Sequence, residues 1–255
     1  MLRLMENPEA TKDVVKILYD IVSPNNISAV IHNYFKLWTA RWQCFGQCWS
    51  KTNESDALWR IYSYEKMAVR IETEEKAIRS TLENLFQQSN QQGQYSIEIG
   101  DVQYDLKDSN CLKEQGEMLK NSLKVVTPFF HKRKAFQHEN EKRVILFDKS
   151  KADIEYIVAW ATKVNLHFDG KEKCFTDKEM VIESAVKEIR KMQKNYCTEQ
   201  IKSEMFVKVP CLSQYIQSVM VHPQADEWIV NLVEKICQRG RLNFIGKSHM
   251  YDNLV

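Results

Sequence analysis

Apolar residues recur at helical spacing through the first part of the chain and at strand spacing soon after it. Asn7 and Pro8 supply an N-cap and a first-turn proline. Val14, Val15, Leu18, Ile21 and Val22 then follow with helical period until Ser23-Pro24 ends the run. Residues 27–39 predict a second helix with Val30, Ile31, Tyr34, Phe35 and Trp38 on its apolar side. Residues 41–50 and 66–71 read as strands, and a helix over 74–87 leads to a further strand at 96–104. Between the first two strands, the polar turn 51–55 precedes a short helix carrying Leu58, Trp59 and Tyr62.

The later pattern predicts a helix over 117–126 and a compact buried strand over 143–147. Residues 163–168 read as another strand. Thr176 and Glu179 have capping-box spacing, and Ile182, Ala185, Val186, Ile189 and Met192 form one stripe of the helix behind them. Lys187, Arg190, Lys191 and Lys194 form its polar side, which reads as a solvated face in preference to a nucleic-acid contact. Residues 204–209 and 216–221 predict strands. After His222-Pro223 comes a helix with Trp228, Leu232, Val233 and Ile236 inward and Gly240 as the residue beyond its end. Residues 243–245 read as a last strand. This order implies an α+β fold: a mixed, mainly antiparallel sheet core with flanking helices, in a single domain over 1–255 with a helical segment at 1–40.

Composition narrows the function classes. With 255 residues, 44% hydrophobic, the chain is long enough for a substantial core. The net charge of +2 makes nucleic acid a conceivable partner and not the favoured one. Seven glycines are too few for phosphate-cradling loops, and no G-x-x-x-x-G-K-[ST] or G-x-G-x-x-G pattern occurs. Seven cysteines, with no apolar leader and no stretch near the ~20 residues of a membrane span, suit reduced thiols in a cytoplasmic protein. Cys44 and Cys48 lack a second pair at zinc-ligand spacing, so no metal is expected.

Two segments carry candidate chemistry. In the first, a strand delivers Trp49 and Ser50 to its end, and Trp59 and Tyr62 follow one helical turn apart. Indoles and a phenol beside a hydroxyl suit a nucleobase or nicotinamide ring, and ordinary aromatic packing is the competing reading. The second is the charged run from His131 to Arg143. If 138–147 is extended, Glu139, Glu141 and Arg143 share one face. Arg143 can then hold one carboxylate while the pair divides electrostatic and proton-transfer roles. An edge-strand ladder of ion pairs is the alternative.

These segments also carry a resemblance. Cys48-Trp49-Ser50 with Glu54-Ser55, Trp59 and Tyr62, then Ala68 to Ile71, resembles the domain-of-unknown-function family 2971. So do Gly100-x-Val102-x-Tyr104, the motif Lys132-Arg133, Phe136, His138-Glu139, Glu141 and Arg143, and the tail Ile216, Val219, Val221, Pro223 and Trp228, across roughly 42–250. The pattern is similar to ADP-ribosyltransferase-type folds, which place a serine-bearing strand and a Glu-x-Glu segment around NAD. The resemblance implies that Ser50 lies near the nicotinamide ribose and that Trp49, Trp59 or Tyr62 stacks near the ring. Glu141 would stabilise the oxocarbenium-like ribose, and Glu139 would position or deprotonate a protein or nucleotide acceptor. It also implies a bacterial toxin or phage-defence effector. The chain departs from the family by opening on helices instead of a strand with an Asp-Pro loop. That departure leaves Arg41 or His32 to hold the dinucleotide, or else removes NAD binding. The main competing class is a non-catalytic module that binds a nucleotide, peptide or partner, and a third class handles nucleic acid through Lys132, Arg133, Lys134 and the basic helix behind Thr176.

Overall fold

The computed structural model describes residues 8–22, 27–63, 65–91, 93–106, 126–149, 177–195 and 204–252. The predicted helix at 117–126 lies outside them except for its last residue, which is a turn, and the predicted strand at 163–168 lies wholly outside. The fold is α+β, and the chain divides into two compact units that interleave in sequence.

The first unit takes Met1–Cys48, Gly93–His138 and Lys142–Met205. Its core is made by helices α1 (Pro8–Val22), α2 (Ile27–Gln43) and α5 (Lys178–Asn195). Val14, Val15 and Leu18 of α1 meet Ile27, Val30, Ile31, Tyr34 and Phe35 of α2, with Ile182, Ala185 and Ile189 of α5, all essentially sealed from solvent. Each large aliphatic side chain buried there contributes about 1.5–3 kcal/mol. Tyr34, Phe35, Trp38 and Trp42 continue the core as a file of edge-on rings with centroids 5.7, 5.5 and 4.4 Å apart. The helix over-runs its predicted end by four residues, and strand β1 (Cys44–Ser50) begins only after Gln43. Within the over-run Trp42 packs against the helical core and lies edge-on to Trp38, contacts that a helix continued past Thr39 provides.

Strands β1, β6 (Glu141–Asp148) and β3 (Tyr95–Asp101) form a sheet in the order β1-β6-β3. β3 and β6 are antiparallel, with Gly100 opposite Arg143. That glycine has a physical cause: a Cβ there would stand 3.1 Å from the Phe130 ring. Arg143 donates from Nη1 to the Phe129 carbonyl beside it, so the two positions seat the Phe129-Phe130 turn on the sheet. The predicted strand at 96–104 is split at the buried Val102 into β3 and β4 (Gln103–Leu106), and β4 pairs in parallel with β5 (His131–Arg133).

The second unit takes Trp49–Gln92, Glu139–Glu141 and Phe206–Val255. It contains α3 (Asp56–Tyr62), α4 (Glu75–Gln88), the short α6 (Leu212–Tyr215) and α7 (Glu227–Gly240). Its sheet runs β2 (Val69–Glu72), β7 (Ser218–Val221), β8 (Phe244–Lys247), with β2 antiparallel and β8 parallel to β7. Of the predicted strands here, one starts late and one is absent. Lys66 adopts a left-handed φ of 59°, which delays β2, and 204–209 forms no strand.

Helix α7 faces inward differently from the expectation. Ile229 and Cys237 are buried, and Ile229 with Val233 packs in a cluster with Val221, Ala225 and Phe244. Trp228, Leu232 and Ile236 are about half exposed, at 56%, 49% and 54%. Two neighbouring apolar stripes compete on this helix, and contact with β7 and β8 selects the second. Its end is also shifted: Gly240 is the last helical residue, and Arg241 takes the left-handed cap at φ 53°.

Candidate functional site

The end of β1 and the Glu139–Glu141 segment both belong to the second unit, where main-chain and side-chain hydrogen bonds join them. The Ser50 hydroxyl donates to the Glu139 carbonyl at 2.9 Å. The Lys51 N–H donates to the Asn140 carbonyl at 2.9 Å, and the Asn140 amide donates to the Thr52 hydroxyl at 3.4 Å. The Thr52 N–H returns to Ser50 Oγ at 3.1 Å. Ser50 to Thr52 is thus stitched to Glu139 and Asn140.

That junction has a local cause on each side. The strand ends where Ser50 can turn its hydroxyl onto the backbone, a habit that favours serine and threonine at turns. Asn140 sits at φ 45°, a left-handed conformation that asparagine tolerates better than most residues. This turn corrects the reading in which 138–147 is extended. Residues Lys134–Glu139 form a 3-10 helix, and β6 starts at Glu141. Glu139 therefore does not continue the alternation that Glu141 and Arg143 share. Glu141 is 7% exposed and Glu139 is half-buried. Arg143 lies in the first unit and holds the Phe129 carbonyl there.

The aromatic residues divide. Trp49, before Ser50, has its ring 6.3 Å from that of Tyr215, and its buried Nε1 has no hydrogen-bond partner among the described residues. Trp59 is a core residue, 6% exposed, edge-on to His222 at 5.2 Å. Its indole donates to Glu54 Oε1 at 2.9 Å, and the same oxygen accepts from Ser248. Tyr62, three residues on, is 66% exposed. The helical turn that was to place both rings on one wall instead sends one inward and the other out.

The rest of the polar turn is equally engaged. Arg70 donates to the Asn53 carbonyl and side chain and reaches Glu72, which also accepts from Ser218 at 2.7 Å. Tyr251 donates to Asp56, and that bond, followed by the one from Arg60, holds the Asp56 carboxyl below its ordinary range. Burial first, then the charge of Lys66, lowers the His222 pKa, and its Nδ1 accepts the Gln224 N–H at 2.9 Å. Burial pushes the Cys44 thiol up to about 12, which makes it a poor nucleophile.

In the first unit, the charged run has found partners of its own. His131 Nδ1 lies 2.9 Å from Asp105, while Lys132 and Arg133 sit 4.8 and 5.1 Å from the Phe136 ring centre. Among the described residues no group of three or more His, Cys, Asp or Glu is arranged to hold a metal ion, and no helix is long and apolar enough to cross a membrane. Sequence reasoning missed Thr52, Asn140, Ser248 and Tyr251. Each acts through contacts with residues far away in the chain, and only the Asn at a turn carries a local signal.

No protein-family model, curated protein or solved structure matches the chain. The resemblance to family 2971 therefore stands on the quoted motifs alone.

Proposed function

We propose that the chain is an ADP-ribosyltransferase-like, NAD-consuming protein whose reaction centre is the junction of Ser50 with Glu139 and Glu141. The observation that carries this reading is the hydrogen bond from the Ser50 hydroxyl to the Glu139 carbonyl, which brings the serine-bearing strand end beside the Glu-x-Glu segment. In the reaction, the bond between the ribose carbon and the nicotinamide nitrogen breaks, and its electron pair leaves with nicotinamide. The Glu141 carboxylate, largely removed from water, stabilises the positive charge that develops on the ribose. A water or an acceptor hydroxyl supplies the new C–O bond, and its proton passes to Glu139. The Trp49 indole N–H, without a partner among the described residues, is the aromatic donor nearest in sequence to Ser50. On this reading the protein acts in the cytoplasm as a toxin or phage-defence effector, a role that rests on the family resemblance. Nicotinamide release from NAD, compared between the native chain and Glu141→Gln, tests it.

A second reading is favoured by a separate observation. Trp59 and Glu54 are already satisfied by one another and by Ser248, as framework groups of a binding module would be. That module would be stabilised by a nucleotide without turning it over.

A further inference from the structure

The proposed NAD chemistry leaves unused a band of positive charge in the first unit. α5 turns Val181, Ile182, Ala185, Ile189 and Met192 into the helical core, which leaves its opposite side to solvent. Lys187, Arg190, Lys191 and Lys194 follow there at consecutive helical-turn spacing, and with Lys12 of α1 they line a shallow groove of about 570 Å³. Among the described residues, Glu183 is the one carboxylate in the lining and Val186 the one apolar side chain. Lys12 is engaged by Glu179 at 2.5 Å and Glu183 at 3.6 Å. Lys187, Lys191 and Lys194 have no ion pair among the described residues.

We propose that this groove binds the phosphate backbone of a nucleic acid, without reading its bases. The chain as a whole carries a net charge of only +2, so cation density on this wall is local and not a property of the composition. Complementing the helix dipole accounts for a cation in the last turn, Lys194, but not for Lys187 and Arg190 further in. From 187 to 194 the helix rises roughly 10 Å, and each strand of a duplex presents a phosphate about every 3.4 Å of axis. A line of cations of that length suits a polymer better than a single phosphate, which needs donors converging on one point. Among the described residues no aromatic side chain lines the groove, so the contacts it offers are with a backbone and not with base faces. A membrane surface fits less well, because the apolar stripe of α5 is occupied by the helical core and has nothing to insert between lipids.

Fluorescence anisotropy of the full chain with a labelled 20-base-pair duplex of arbitrary sequence, titrated from 50 to 200 mM salt, tests this. With the four cations of α5 each on a phosphate, binding should weaken with a log–log salt slope of about −3.6, and a second sequence should bind within about twofold. The variant Lys187→Gln/Lys191→Gln/Lys194→Gln should bring the slope to about −1 or weaker, since each lost phosphate contact removes about one unit. Lys132→Gln/Arg133→Gln, in the other basic cluster, should leave affinity unchanged, and circular dichroism should show native helix content in both variants. Flat or absent binding overturns the proposal. So does a triple variant that binds like the native chain, or binding to vesicles containing phosphatidylserine with none to the duplex. Nicotinamide release is read separately, so failure here leaves the NAD reading untouched.

Discussion

The hydroxyl of Ser50 donates to the main-chain carbonyl of Glu139, 89 residues later in the chain, at 2.9 Å. The bond joins the end of β1 to the turn that opens β6. It places the two segments with candidate chemistry side by side although neither contains a signal for the other. The neighbouring Lys51-to-Asn140 backbone bond fixes the same register, so the junction does not depend on one exposed hydroxyl. Ser50→Ala should accordingly cost only about 0.5–1.5 kcal/mol of stability, measured by urea unfolding, and a loss above that range would mean that the hydroxyl holds the junction alone.

Trp59 and Tyr62 separate framework from surface. Trp59→Phe removes an indole donor from the Glu54 carboxylate and opens space against His222, so it should destabilise the protein by about 1.5–3 kcal/mol. Tyr62→Ala, at a 66% exposed position, should change stability by no more than about 0.5 kcal/mol. Denaturant midpoints of the two variants check this, and equal losses would mean that both rings are structural.

The inward face of α7 is open to the same kind of test. Ile229→Ala should cost about 2–4 kcal/mol, because Ile229 is 5% exposed against Val221 and Ala225. Leu232→Ser should stay within about 0.5 kcal/mol, since Leu232 is 49% exposed. The reverse order would restore the stripe of Trp228, Leu232 and Ile236 as the buried one.

His222 gives the fold a pH dependence of definite sign. Its folded pKa is lowered from 6.5, by burial and by Lys66, and its Nδ1 must be unprotonated to accept the Gln224 N–H. The unfolded chain therefore binds more protons in the window from 6.5 down to the folded value, and stability falls as pH drops through that window. Above the unfolded pKa the group contributes no slope. Thermal melts of His222→Gln should lack this component, and a variant with the native pH profile would remove His222 as its source.

Much of the architecture was legible because it rests on periodicity. The stripes of α1, α2 and α5 point one way only, and burial of Leu18, Ile31 and Ile189 follows from spacing. Legibility fails where two local choices are nearly equal. In α7 both apolar stripes repeat every fourth residue, and only contact with Val221 and Phe244 decides between them. At Glu139 the alternation of charges suggested a strand, but Asn140 breaks it with a left-handed turn. The residue types of the candidate site could be read one segment at a time. The meeting of Ser50 with Glu139 could not, because contacts between distant segments leave no trace in local spacing.

The most direct test of the proposed reaction centre is release of nicotinamide from NAD by the purified chain, followed by chromatography with and without candidate protein and nucleotide acceptors. Native protein should release nicotinamide, and Glu141→Gln should lower kcat by about a hundredfold or more while keeping native helix content by circular dichroism. Release by Glu141→Gln at the native rate, or no release by native protein that NAD nevertheless stabilises against heat, would contradict the catalytic assignment; the second result would leave a binding module in its place.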